Sequence, residues 1–201
     1  MAKISINRSK LDKLANKTIN KMVEPVARKM VEKVVEESQQ KMLKEFESHP
    51  VTKEIEMGPE GYNVSGTLGG YGNLYSYIGF EEGMDPIAPV RHLLSKAIKI
   101  KRLPTSSRKL MINFLVELPS KEEIAQKSPM PWQNGRSWII GIEQGISGLN
   151  NYLNKESFSS RSGYGVQAKK AVRSGSFSNT KYLSMILRGL EKNIRSLTKW
   201  M

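Results

Sequence analysis

The sequence predicts an α+β fold, a mostly antiparallel sheet of four to five strands flanked by a long N-terminal helix and a C-terminal helix. Three observations carry that expectation. Apolar residues recur at three- and four-residue steps from Ile19 to Phe46, β-rich runs punctuated by glycine follow from Val51, and an amphipathic stretch closes the chain.

The first element is the clearest. Ile19, Met22, Val23, Val26, Ala27, Met30, Val31, Val34, Val35, Met42, Leu43 and Phe46 fall on one stripe of a 3.6-residue period, which predicts helix from about Ser9 to Phe46. Ser9 and Asp12 have the spacing of a capping pair, and Pro25, which lacks an N–H, is expected to kink or divide the helix. Lys29, Lys33, Glu36, Glu37, Lys41 and Lys44 make an opposite, solvated face. So long a stripe needs a partner, and its methionines suit an adaptable one.

His49-Pro50 ends this helix, because the residue before proline is pushed out of the helical region. Val51–Glu56, Tyr62–Leu68 and Asn73–Phe80 are then read as strands, with Gly66, Gly69, Gly70 and Gly72 marking a turn or bulge between the second and third. Asp85-Pro86 opens a helix over residues 86–98, with Ile87, Val90, Leu93, Leu94 and Ala97 inward. The run Lys99–Lys109 holds five basic residues and no acidic one, and reads as an exposed loop. Leu110–Leu118 is the most apolar run and the expected central strand. Pro119-Ser120 with Glu122 and Glu123 starts a short helix that Pro129 and Pro131 break. A helix from Ser137 to Leu153 is weakened by Gly141, Gly145 and Gly148. Residues 157–180, rich in Ser, Gly, Arg and Lys, read as a mobile or partner-ordered arm. The closing helix runs from Asn179 to about Trp200 and places Tyr182, Leu183, Ile186, Leu187, Leu190, Ile194 and Leu197 on one side. The predicted organisation is a helical segment over 1–48, an α+β core over 49–156, the basic arm over 157–180 and the helix over 181–201.

Composition narrows the chemistry. There is no cysteine, which removes disulfides, thiolate nucleophiles and sulfur-ligated zinc, and fits synthesis in a reducing cytoplasm. The start of the chain has no apolar run of signal-peptide length, and no membrane partner is expected. Only His49 and His92 supply imidazole, 43 positions apart, and Asp12 and Asp85, the two aspartates, sit where helices begin. Glu117, Glu122, Glu123 and Glu143 are candidate acids in the second half, but no paired-carboxylate constellation is visible. The glycine run from Gly66 to Gly72 fits neither the phosphate-loop nor the dinucleotide pattern, and Ser147 in GISG falls one residue short of GxSxG. Catalytic residues, cofactors and metals are therefore not expected, and the chain reads as a non-enzyme.

Charge is the strongest remaining signal. The net formal charge is +13, and residues 1–100 hold 15 Lys/Arg against 13 Asp/Glu while residues 101–201 hold 17 against 6, so almost all of the excess lies in the second half. Such asymmetry implies an acidic partner. The candidate surface is Lys99, Lys101, Arg102, Arg108, Lys109, Arg161, Lys169, Lys170 and Arg173. These cations would neutralise phosphates or meet an acidic protein; Phe158, Tyr164 and Phe177 are the only aromatic residues placed for base stacking, which favours protein over nucleic acid.

Two stretches, HPVTKEIEMGPEGYNVSGTLGGYGNLYSYIGF (His49–Phe80) and SPMPWQNGRSWIIGIEQGISGLNNYL (Ser128–Leu153), the latter leading into the arm, resemble neck and tail-completion virion proteins of tailed bacteriophages, the group of minor tail protein Z. In that group a long helix leads to a small sheet through a turn of the type TGxL, similar to Ser65-Gly66-Thr67-Leu68. The resemblance covers the layout of about two thirds of the chain and brings no catalytic residues. It implies a ring-forming homo-oligomer in the virion that joins tail to head connector, contacts other neck or tail proteins and touches DNA weakly if at all. The alternative is a non-specific nucleic-acid-binding protein.

Overall fold

From Arg8 to Ser48 the chain forms one helix, α1, which carries Pro25 in its interior without being divided. Proline removes a single backbone bond, to the carbonyl of Lys21, and Lys21 is exposed, so water can satisfy that carbonyl. Ser9 lies inside the helix instead of capping it. The computed structural model describes residues 8–68, 72–96, 98–104, 112–145, 153–154, 166–167 and 178–197.

After a break at His49 come α2 (Pro50–Glu56), α3 (Leu74–Ile78) and α4 (Ala88–Lys96), then the antiparallel hairpin of β1 (Lys99–Leu103) and β2 (Asn113–Glu117). Next are α5 (Lys121–Lys127), the short strands β3 (Pro129–Met130) and β4 (Gln133–Ser137), and α6 (Trp138–Gln144). The strands β5 (Leu153–Asn154) and β6 (Val166–Gln167) and the helix α7 (Leu183–Leu197) complete the described elements.

The expected sheet of four to five strands is not formed. Among the described residues three separate two-stranded antiparallel sheets stand in its place, β1–β2, β3–β4 and β5–β6, and helix dominates. The misreading lies in residues 51–80, where three strands were predicted. Val51–Glu56 is helix α2: proline sits in its first turn, and Val51 and Ile55, one turn apart, are both fully buried. Asn73–Phe80 contains α3, with the Asn73 side chain accepting from Ser76 N–H at 2.8 Å and Gly79 ending it in the left-handed region. Residues 62–68 are irregular because their backbone groups are engaged elsewhere: Ser65 N–H donates to Glu54, and Thr67 C=O accepts from Ser178.

The hairpin corrects two further expectations. Lys99–Leu103 is a strand and not a loop, and among the described residues β2 is one of two strands in its sheet, not a central one. The helix expected from Ser137 to Leu153 is shorter, ending at Gly145, while Leu153 lies in β5.

The core sits where α2, α3, α4, α6 and α7 close on the last third of α1. A chain of aromatic rings runs through it: Phe46 stacks on Tyr182 at 5.9 Å, Tyr182 lies 6.3 Å from Trp138, and Trp138 meets Phe80 edge-on at 6.0 Å. One ring each from α1, α6 and the residues flanking α3 and α7 thus ties the helices together. Outside it, Arg91 of α4 pairs with both Glu47 of α1 and Glu56 of α2.

Candidate interaction surface

Several polar residues that could have carried chemistry are occupied in building the fold. His49 caps α2, its Nδ1 accepting from Val51 N–H at 3.2 Å, and its ring lies 4.7 Å from that of Tyr182. Burial lowers its pKa, partly offset by a hydrogen bond to the Lys181 backbone and by Glu143. His92 is exposed on α4. Asp85 Oδ1 accepts from Ile87 and Ala88 N–H at 3.0 and 2.9 Å, which starts α4. Asp12 lies within α1.

Three of the four candidate acids are similarly engaged. Ser120 and Glu123 form a reciprocal capping box on α5, with Glu122 in the same first turn, and Glu117 pairs with Lys101 at 2.7 Å. Glu143 reaches from α6 to accept from Tyr182 and Ser184 N–H at 3.2 and 2.6 Å, capping α7 from outside its own sequence. A fifth carboxylate, Glu54, escaped the sequence reading. It is fully buried and accepts from Ser65 and Leu74 N–H, both at 2.8 Å. Its position in a weakly alternating run offers no sign of that role. Tyr182 is also buried; its hydroxyl shares a 2.6 Å hydrogen bond with Thr52, and burial raises its pKa well above the ordinary value. Among the described residues no cluster of three or more acidic or imidazole side chains could hold a metal ion, and no helix is long and apolar enough to cross a membrane.

The predicted basic surface is only partly within the described residues. Lys99, Lys101 and Arg102 sit on β1, where Lys101 bonds Glu117 across the hairpin and Arg102 bonds Glu24 of α1. Lys101 therefore ties the two strands of the hairpin together, and Arg102 fastens the hairpin to α1. Arg108, Lys109, Arg161, Lys169, Lys170, Arg173, Ser147, Gly69 and Gly70 lie outside the described residues. Gly66 and Gly72 have φ of 69° and 68°.

What the sequence did not separate is the apolar stripe of α1 from its packed face. From Lys13 onward Val35 is the first buried side chain of the helix, and no residue from Lys13 to Val34 is buried. The half-covered positions in that span are Asn16, Asn20, Glu24, Ala27, Val31 and Val34, whereas Leu14 and Met22 are 66% and 73% exposed and Ile19, Val23, Val26 and Met30 are also open. The first half of α1 thus leaves the core with Leu14 and Met22 facing outward, while Ile19, Val23, Val26 and Met30 are open toward a groove. The groove has a volume of about 1080 Å³, and its other walls are the residues of β2 and the end of α7. Isolated surface apolar residues are ordinary, but a contiguous patch larger than a few hundred Å² marks an interaction site.

Comparison with known proteins adds no homologue: no family model, curated protein or solved structure matches the chain.

Proposed function

We propose that this protein is an assembly subunit, a structural virion protein of a tailed phage that forms a ring at the neck or tail-completion position and joins tail to head connector. The observation that carries the assembly reading is the outward apolar face of α1, where Leu14 and Met22 stand clear of both core and groove. Burying such a face against a neighbour removes apolar surface from water at roughly 25 cal/mol per Å², a gain that a lone chain forgoes. The neck position rests on the resemblance of His49–Phe80 and Ser128–Leu153 to tail-completion proteins. That His49, Glu117, Glu123 and Glu143 are engaged as caps and ion pairs supports a non-enzymatic role.

Native mass spectrometry of the purified chain tests this. A species heavier than the 22.7 kDa chain is expected, and Leu14→Glu with Met22→Glu should return it to the monomer with unchanged helical circular dichroism. A chain that stays monomeric at about 100 μM and binds duplex DNA with the steep salt dependence of phosphate contacts would replace the assembly reading with the nucleic-acid one.

A further inference from the structure

We propose that a second copy of this chain covers the outward face of the first half of α1, and that it does so with the acidic and apolar rim around its α3, in a head-to-tail contact. The proposal rests on the assembly reading above and names the surface that meets Leu14 and Met22.

On the helix side the face is basic at its own residues. At about 100° per residue, Lys13, Leu14, Lys17, Lys21, Met22 and Lys29 fall within one half of the α1 circumference, and all six are exposed. The acids between Lys13 and Val34, Glu24 and Glu32, are both neutralised, by Arg102 and by Arg28. Lys13, Lys17, Lys21 and Lys29 have no acidic partner among the described residues.

Residues 54–90 are the reverse, with six Asp/Glu and no Lys or Arg. Their loops are gathered around α3. Asn73 Nδ2 donates to the carbonyls of Pro59 and Gly61 at 2.8 and 2.7 Å, and the Tyr75 hydroxyl donates to those of Glu81 and Met84. Trp132 Nε1 donates to the Ile78 carbonyl at 2.7 Å. On the rim so formed Tyr62 is 70% exposed, Met84 47% and Trp132 40%. Glu60, Glu81 and Glu82 are exposed beside them and pair with no cation among the described residues. Tyr, Trp and Met are the side chains that protein interfaces favour.

Each face thus combines apolar groups with charges of one sign, and the signs are opposite. A nucleic-acid backbone offers phosphates to the lysines but no counterpart to Leu14 and Met22, whereas the rim offers both. The net +13 of each copy does not forbid the contact, because charges more than about 8 Å apart are largely screened at physiological ionic strength and those at the contact decide.

One chain cannot close this contact on itself. The Gln39 amide donates to the Leu94 carbonyl and Arg91 pairs with Glu47, so α4 runs back along α1 and its start at Asp85 lies toward Ser48. Lys13 and Lys21 are about 50 and 38 Å from Phe46 along the same continuous helix. The two faces therefore lie toward opposite ends of α1. A contact between two different patches is heterologous, and repeated it closes a ring or runs on as a filament.

Two charge-reversed variants of the full chain test the contact by native mass spectrometry and sedimentation. Lys17→Glu with Lys21→Glu reverses the helix face, and Glu81→Lys with Glu82→Lys reverses the rim; all four positions are exposed, so helical circular dichroism should not change. Each variant alone should self-associate at least about tenfold more weakly than the native chain. An equimolar mixture should recover association, because every reversed face then finds a complement, and a chain carrying all four substitutions should associate with itself for the same reason. An oligomer that survives either pair of substitutions, or variants that do not recover on mixing, overturns the proposal and leaves the assembly reading in place. Duplex DNA binding that Lys17→Glu with Lys21→Glu abolishes while the oligomer stays intact assigns the face to nucleic acid instead. A native chain that is monomeric at about 100 μM removes the assembly reading and this contact with it.

Discussion

His49 joins three parts of the molecule with one neutral ring: it caps α2 through Nδ1, packs on Tyr182 and hydrogen-bonds the Lys181 backbone just before α7. A proton on Nδ1 would turn that acceptor into a donor facing the Val51 N–H. Folding lowers the pKa of His49 from its ordinary value of 6.5, chiefly through burial, so the unfolded chain binds the proton more tightly. The stabilising contribution is therefore complete above about pH 6.5 and is lost as the pH falls through the lowered folded value. His49→Asn keeps a side-chain acceptor for the cap but cannot titrate. Thermal melts from pH 7.5 to pH 5 should show a shallower decline in the variant than in the native chain, although the variant starts lower for want of the ring contact with Tyr182. Parallel declines would show that folding does not lower the pKa of His49.

At the scale of elements, legibility followed the range of the signal. Helices α5 and α6 begin where the sequence placed them, and α4 two residues later, because Asp85, the Ser120–Glu123 box and Ser137 act on N–H groups two or three residues away. The segment 51–80 was misread because its determinants lie elsewhere in the chain or read equally well as strand. Glu54 holds the backbone at Ser65 and Leu74, Asn73 Nδ2 donates to the carbonyls of Pro59 and Gly61, and Trp132 Nε1 donates to the carbonyl of Ile78, at separations from 11 to 54 residues. The groove was out of reach for the same reason, since it exists only once α1, β2 and α7 are brought side by side. One local sign in 73–80 was available: Asn73 and Gly79 bracket Leu74–Ile78 as N-cap and C-cap. Gly79 has φ of 87°, and the bonds from Phe80 N–H to Tyr75 C=O and from Gly79 N–H to Ser76 C=O close a Schellman motif. Gly79→Ala should therefore destabilise the protein by about 1–2 kcal/mol, read as a lower denaturant midpoint at constant slope. A midpoint equal to that of the native chain would mean that α3 ends without the left-handed turn.

Across the whole molecule, stability is divided along α1. From Val35 to Phe46 the helix buries Val35, Met42 and Phe46 and shares the core with α7; from Lys13 to Val34 it buries nothing, and Arg102–Glu24 is its one ion pair to another element among those described. A helix in water without tertiary packing is marginal at this length, and Pro25 removes one of its bonds. Opening of the first half is thus a local event that leaves the aromatic chain of the core untouched. In native-state hydrogen exchange at concentrations low enough to give monomer, amides of residues 13–30 should be at least about 100-fold less protected than those of residues 38–46. Pro25→Ala sharpens the test. It restores the missing N–H and removes the roughly 3 kcal/mol penalty of an interior proline, so protection of residues 13–30 should rise. The global thermal midpoint should move by less than about 3 °C, because that half shares no buried contact with the cooperative core. A midpoint that climbs in step with the local protection would mean that the whole of α1 folds and unfolds with the core, and that its outward apolar face is held rigid even before a neighbour covers it.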